Sequence, residues 1–184
     1  MILTIDDYIT KEEKIELYKD AMDFALKKKE GKILCRVLKF NDNDTPEQTM
    51  EKLKQHALWR YTGNVAQRLF VNFIQKEVGE IEHDILYTTR KGHIGDIDTI
   101  TKTGLRGDIK SSTNSKYMNV NWSDLKNNDV FIKIYINIEQ KTFEICGYTT
   151  KQYIYSNIKP INGIYRVNYE DLNHNIEQLK NLYK

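Results

Sequence analysis

The sequence predicts an α/β domain in which helices come first and a sheet follows, and two observations carry that prediction. Up to Gly79 the apolar residues recur at helical spacing, and beyond it they alternate. In the stretch 130–138, Ile132, Ile134, Ile136 and Ile138 share one parity while Phe131 and Tyr135 take the other, the pattern of a central strand covered on both faces. A length of 184 residues suits one compact domain with a helical addition.

The elements follow in order. Thr10-Lys11-Glu12-Glu13 reads as a capping box that opens a first helix, with Ile15, Leu17, Tyr18, Ala21, Met22, Phe24 and Ala25 at helical spacing and Gly31 as its stop. A short strand is expected over 33–38, and Asn41-Asp42-Asn43-Asp44 is a turn. Thr45-Pro46-Glu47-Gln48 combines an N-cap, a proline at the first helical position and a reciprocal Gln. From Gly63, Ala66, Leu69, Phe70, Phe73 and Ile74 form one apolar stripe that Gly79 closes. Strands are expected over 84–89, 93–101, 105–112, 129–138 and 142–148, with a short helix over 122–126. Leu172, Ile176, Leu179 and Leu182 predict a last helix against one side of the sheet.

The composition narrows the function classes. With 28 Lys and Arg against 26 Asp and Glu, the net charge of +2 excludes nucleic-acid binding by bulk charge, so any such site must be local. Cys35 and Cys146 form no C-x-x-C pair, which argues against a disulfide scaffold or cysteine zinc site and for a reducing, cytoplasmic setting. No apolar run approaches the roughly 20 residues needed to span a bilayer, and the N-terminus lacks the pattern of a signal peptide.

The chemistry concentrates in 92–112, which reads as a hairpin. With Lys102-Thr103-Gly104 as a three-residue loop, Gly104 takes the left-handed position and the register is fixed. Thr101 then faces Leu105, Asp98 faces Asp108, and Asp96 faces Lys110, with the four charged side chains on one face and Ile97 and Ile109 on the other. Aspartates directly across antiparallel strands repel unless something compensates, and a divalent cation does so. Hard oxygen ligands suit Mg²⁺ or Mn²⁺, and Lys110 could hold a phosphate or polarise the attacking water, a set suited to phosphodiester hydrolysis. The bland alternative is a solvated charged sheet face.

In context, a core helix, the acidic strand Gly95-Asp96-Ile97-Asp98 and the half-motif Asp108-Ile109-Lys110, the stretch 59–154 resembles the PD-(D/E)XK nuclease superfamily. The resemblance implies a restriction-endonuclease-like αβββαβ core with a mixed central sheet flanked by helices. It divides the chain into a helical extension, 1–58, and a core with its C-terminal helix, 59–184. It assigns Asp98 and Asp108 as metal carboxylates, the Ile109 carbonyl as a third ligand and Lys110 as the catalytic lysine. The first motif's proline is absent, so Asp96 is the alternative first carboxylate; Asp98 is favoured by its partner Asp108. Where many relatives carry a helix glutamate, this chain has Gln67, with Glu77 and Glu80 as later candidates. Asp96 or Gln67 would stand behind the ligands. The expected activity is Mg²⁺- or Mn²⁺-dependent cleavage of DNA, the alternative being a binding or assembly protein on the same fold without chemistry.

Lys102, Arg106 and Lys116 are expected to grip the phosphate backbone. The helical first sixty residues are expected to dimerise the chain or select substrate. His93 reads as structural, and His56, His83 and His174 lack metal-ligand spacing. Asp42 does not open an EF-hand, because Glu47 and Leu53 stand where Gly and Glu are required.

Overall fold

The structure is a computed structural model that describes residues 2–32, 38–83, 98–114 and 116–184. The strand expected over 84–89, most of those expected over 33–38 and 93–101, and Cys35, His93 and Asp96 lie outside the described residues. A short strand β1, Ile2–Thr4, leads into helices α1, Lys11–Lys29, and α2, Pro46–Val78. Strands β2, Glu82–His83, β3, Thr99–Ile100, and β4, Arg106–Ser112, come next, then β5, Tyr117–Asn121, and helix α3, Trp122–Asn127. The chain continues through β6, Val130–Asn137, β7, Thr142–Thr150, helix α4, Lys151–Asn157, β8, Ile164–Asn168, and helix α5, Ile176–Asn181.

Both helix starts are built as the sequence predicts. Thr10 accepts from the Glu13 amide while the Glu13 carboxylate accepts from the Thr10 amide, and Thr45 and Gln48 repeat the arrangement with Pro46 in the first turn. Each such cap satisfies donors that the first helical turn leaves orphaned. The 33-residue α2 runs unbroken to Gly79, so the boundary drawn at 58 falls inside one helix. Gly63 does not interrupt it.

Among the described residues, six strands form a mixed sheet in the order β1-β7-β6-β4-β3-β2, parallel only between β4 and β6. On one face, Ala66, Leu69, Phe70, Phe73 and Ile74 of α2 pack against Ile109, Ile132, Ile134 and Ile136. On the other, Phe131 and Cys146 meet Leu125, Ile154 and a two-stranded ribbon of β5 and β8 through Met118, Val120, Tyr165 and Val167. The alternation along β6 therefore serves two cores, with a bulge at Lys133/Ile134. The ribbon escapes sequence reading because its strands lie far apart in the chain and each has five residues.

The C-terminal segment departs from the expected helix. Asn175 caps a helix that starts only at Ile176, and Asn173 pairs instead with Tyr148 across the edge of β7. Leu172 and Leu179 consequently reach opposite cores. The positive φ of Gly147 permits this approach, since a Cβ there would lie 2.7 Å from the Asn173 carbonyl oxygen.

Candidate functional site

The hairpin between β3 and β4 has the register read from the sequence. Thr99 pairs with Gly107 and Ile100 with Arg106, which sets Asp98 opposite Asp108, and Gly104 closes the turn at φ +82°. Both aspartates are buried, at 2% and 5% exposure. A buried carboxylate needs compensation from donors, cations or metal, and the two obtain it differently.

Asp98 departs from the shared charged face. Its Oδ1 accepts from Gln67 Nε2 of α2 at 2.7 Å, and its Oδ2 accepts from the Ile109 main-chain N–H at 2.6 Å. Its main-chain N–H bonds the Gly107 carbonyl at 2.9 Å, so the paired register ends there and the side chain takes the Ile109 amide. Because one strand residue turns both its N–H and its C=O toward the same neighbour, the Ile109 carbonyl also faces this edge. Parity alone could not show this, because it places Cβ atoms and not the carboxylate beyond them.

Asp108 and Lys110 do share a face. Lys110 Nζ lies 2.8 Å from Asp108 Oδ2 and 2.7 Å from Asp124 Oδ2. Burial pulls the lysine pKa down, but the Asp108 and Asp124 carboxylates outweigh it and hold the value above that of an ordinary lysine. Asp124 is the site residue that sequence reasoning missed. It sits three residues after the N-cap Asn121, whose side chain accepts from the Asp124 amide at 3.1 Å. The Asn121-x-x-Asp124 capping pattern was a signal for the helix start, but its contact with Lys110 is tertiary.

Lys133, fully buried in β6, was missed as well. Its Nζ donates to the Asn114 and Tyr117 carbonyls at 2.7 Å each, tying down the segment that follows β4. Burial pushes its pKa down, opposed by the nearby Cys146. A lone lysine within an apolar strand was the available signal. Thr99 is fixed by a 2.8 Å hydrogen bond to the Tyr183 hydroxyl, whose pKa burial raises to about 12.

Gln67 is thus the helix residue at the site, whereas exposed Glu77 pairs with Lys180 at 2.9 Å and Glu80 lies exposed beyond the helix end. The expected phosphate-gripping cations do not converge. Lys102 and Arg106 are exposed at the turn end of β4, while Lys116 lies beyond its other end. There Lys116 edges an open cavity of about 650 Å³ with Tyr117, Arg166, Glu144 and Glu170, a lining of mixed charge. His56 bonds the Leu38 carbonyl at 3.1 Å and His174 the Cys146 carbonyl at 2.6 Å, both structural roles.

Among the described residues, no group of three or more His, Cys, Asp or Glu side chains converges as a metal site. The donor chemistry is of the kind a hard divalent cation takes. Mg²⁺ commonly uses one or two carboxylates and fills its shell with water and substrate phosphate. Asp98, Asp108 and the Ile109 carbonyl are oxygen donors, with Asp98 turned here to Gln67 and the Ile109 amide and Asp108 to Lys110. Among the described residues, no helix is long and apolar enough to cross a membrane. No protein-family model matches the chain, and neither a curated protein nor a solved structure matches it.

Proposed function

We propose that this protein is a metal-dependent nuclease of the PD-(D/E)XK type, built on a restriction-endonuclease-like core and acting on DNA. The observation that carries the reading is the grouping around Ile109. Its amide holds Asp98, and its neighbours Asp108 and Lys110 form a partly buried ion pair on the same strand. The element order supports it once β5, which pairs with β8 in the separate ribbon, is set aside: α2, the run β2-β3-β4, α3 and β6 then follow the αβββαβ sequence, with β6 parallel to β4.

Asp98 and Asp108, with the Ile109 carbonyl, would hold Mg²⁺ or Mn²⁺. Such an ion lowers the pKa of bound water and neutralises charge on the phosphoryl oxygens. Gln67 fixes the Asp98 carboxylate on the helix side. Asp124 holds Lys110 beside Asp108, and the twofold ion pairing keeps that amine an ammonium, so it donates to a phosphate oxygen rather than accepting a proton.

The test is incubation of circular and linear DNA with Mg²⁺ or Mn²⁺, alongside Asp108→Ala and Lys110→Ala. Metal-dependent cleavage lost in both variants supports the reading. Cleavage that survives both substitutions, or binding without cleavage by the wild type, overturns it.

A further inference from the structure

The α1–α2 hairpin carries an apolar flank that the other described residues leave largely exposed. Leu17, Ala21 and Ala25 of α1 face inward, with Ala25 meeting Leu53 and Ala57 of α2. Beside that buried line, Ile15, Tyr18, Met22 and Leu26 form a second stripe at spacings of three and four residues, Met22 partly buried against Ala25, Leu53 and Ala57 and the other three exposed. Tyr18 meets Tyr61 of α2 edge-on at 5.9 Å, which carries the stripe across to Leu58. Ile15, Tyr18, Leu26 and Leu58 are each between 43% and 54% exposed. The opposite flank differs: there Asp20 pairs with Arg60 at 3.1 Å and accepts from Asn64 at 2.7 Å. Scattered exposed apolar residues are ordinary, but a continuous stripe along two packed helices marks an interface.

We infer that this flank pairs with the same flank of a second copy, α1 antiparallel to α1 about a twofold axis near its middle. Charge along α1 selects that partner. Around its start Asp6, Asp7, Glu12, Glu13 and Glu16 outnumber Lys11 and Lys14, and around its end Lys27, Lys28, Lys29 and Lys32 outnumber Glu30, so antiparallel pairing sets each net acidic end against a net basic one. The same axis brings Lys19 toward Asp23 of the second copy, and Ile15 toward its Leu26. Parallel pairing would stack like charges.

The size is adequate. A 19-residue helix is about 28 Å long, and two helices side by side are about 20 Å wide, so the flank offers roughly 600 Å² per copy. The total of roughly 1,200 Å² falls at the lower end of specific interfaces. The proposal is independent of the nuclease reading and stands or falls without any activity.

Light scattering during size exclusion tests it, with the full chain at about 100 μM. The expected mass is twice the protomer's 21.8 kDa. Tyr18→Glu combined with Leu26→Glu should give the protomer mass with unchanged circular dichroism. Lys19→Asp alone should weaken association at least tenfold, and Lys19→Asp with Asp23→Lys in one chain should restore it. A monomeric wild type, a dimer that survives the double glutamate variant, or a charge swap that fails to restore association would each overturn the proposal.

Discussion

Replacing Gln67 by Glu tests the link between α2 and the hairpin. Gln67 Nε2 donates to Asp98 Oδ1 at 2.7 Å in a buried setting. Glu removes a hydrogen bond to a charged group, worth about 1.5–3 kcal/mol, and puts a second carboxylate against the first. The metal-free variant should therefore lose on the order of 3 kcal/mol, and at about 2–4 °C per kcal/mol for a chain this long, the midpoint should fall by about 6–12 °C. A divalent cation should offset that loss, because the new carboxylate adds charge to the proposed donor set of Asp98 and Asp108 and tightens the variant's site relative to the wild type's. A site about a hundred times tighter than the wild type's returns, at saturating metal, about 2.7 kcal/mol to the variant. Differential scanning calorimetry with EDTA and with Mn²⁺ reads both effects. A metal-free variant as stable as the wild type would refute the contact, and a loss that Mn²⁺ leaves unchanged would refute Asp98 as a metal carboxylate.

Three further outcomes follow from the same geometry. Asp124→Asn leaves Lys110 with Asp108 as its one remaining carboxylate partner among the described residues, and urea unfolding should show a loss of about 1–3 kcal/mol. Unchanged stability would deny Asp124 its role. Gly107→Ala drives a methyl into Thr99 Oγ1 and to 3.1 Å from the Tyr183 hydroxyl, and should cost about 1–3 kcal/mol of overpacking. Thr99→Ala in the same chain should recover part of it. Lys133 has a folded-state pKa below its unfolded value, so its contribution is fully present above the ordinary lysine pKa of about 10.4 and is lost as pH falls through the lower folded value. The stability gap between wild type and Lys133→Met should therefore move in the wild type's favour from pH 8 to about 10.5, whereas parallel pH profiles would contradict the burial of that charge.

Much of the frame was legible because it rests on local rules. The Thr10 and Thr45 caps and the Gly104 turn each depend on a few neighbouring residues, and each appears where the sequence put it. The Ile132–Ile136 alternation identified a strand covered on both faces for the same reason. What the sequence hid depends on contacts between distant segments. The β5–β8 ribbon joins residues more than forty positions apart, and the C-terminal leucines divide because Asn173 finds Tyr148. The site shows both kinds of outcome. Asp98 faces Asp108 through hairpin register, but its carboxylate turns to Gln67 and the Ile109 amide, and the Asp124 contact with Lys110 exists only once the chain folds back to bring α3 within reach of the Lys110 side chain.

The central claim is that Asp98 and Asp108 together make a divalent-cation site beside Lys110. Calorimetric titration of Mn²⁺ into wild type, Asp98→Asn and Asp108→Asn reads it without reference to any substrate. The account predicts saturable binding by the wild type and at least a tenfold weaker affinity in each variant, with the fold intact by circular dichroism. Equal affinity in all three proteins, or no binding by the wild type, would contradict it.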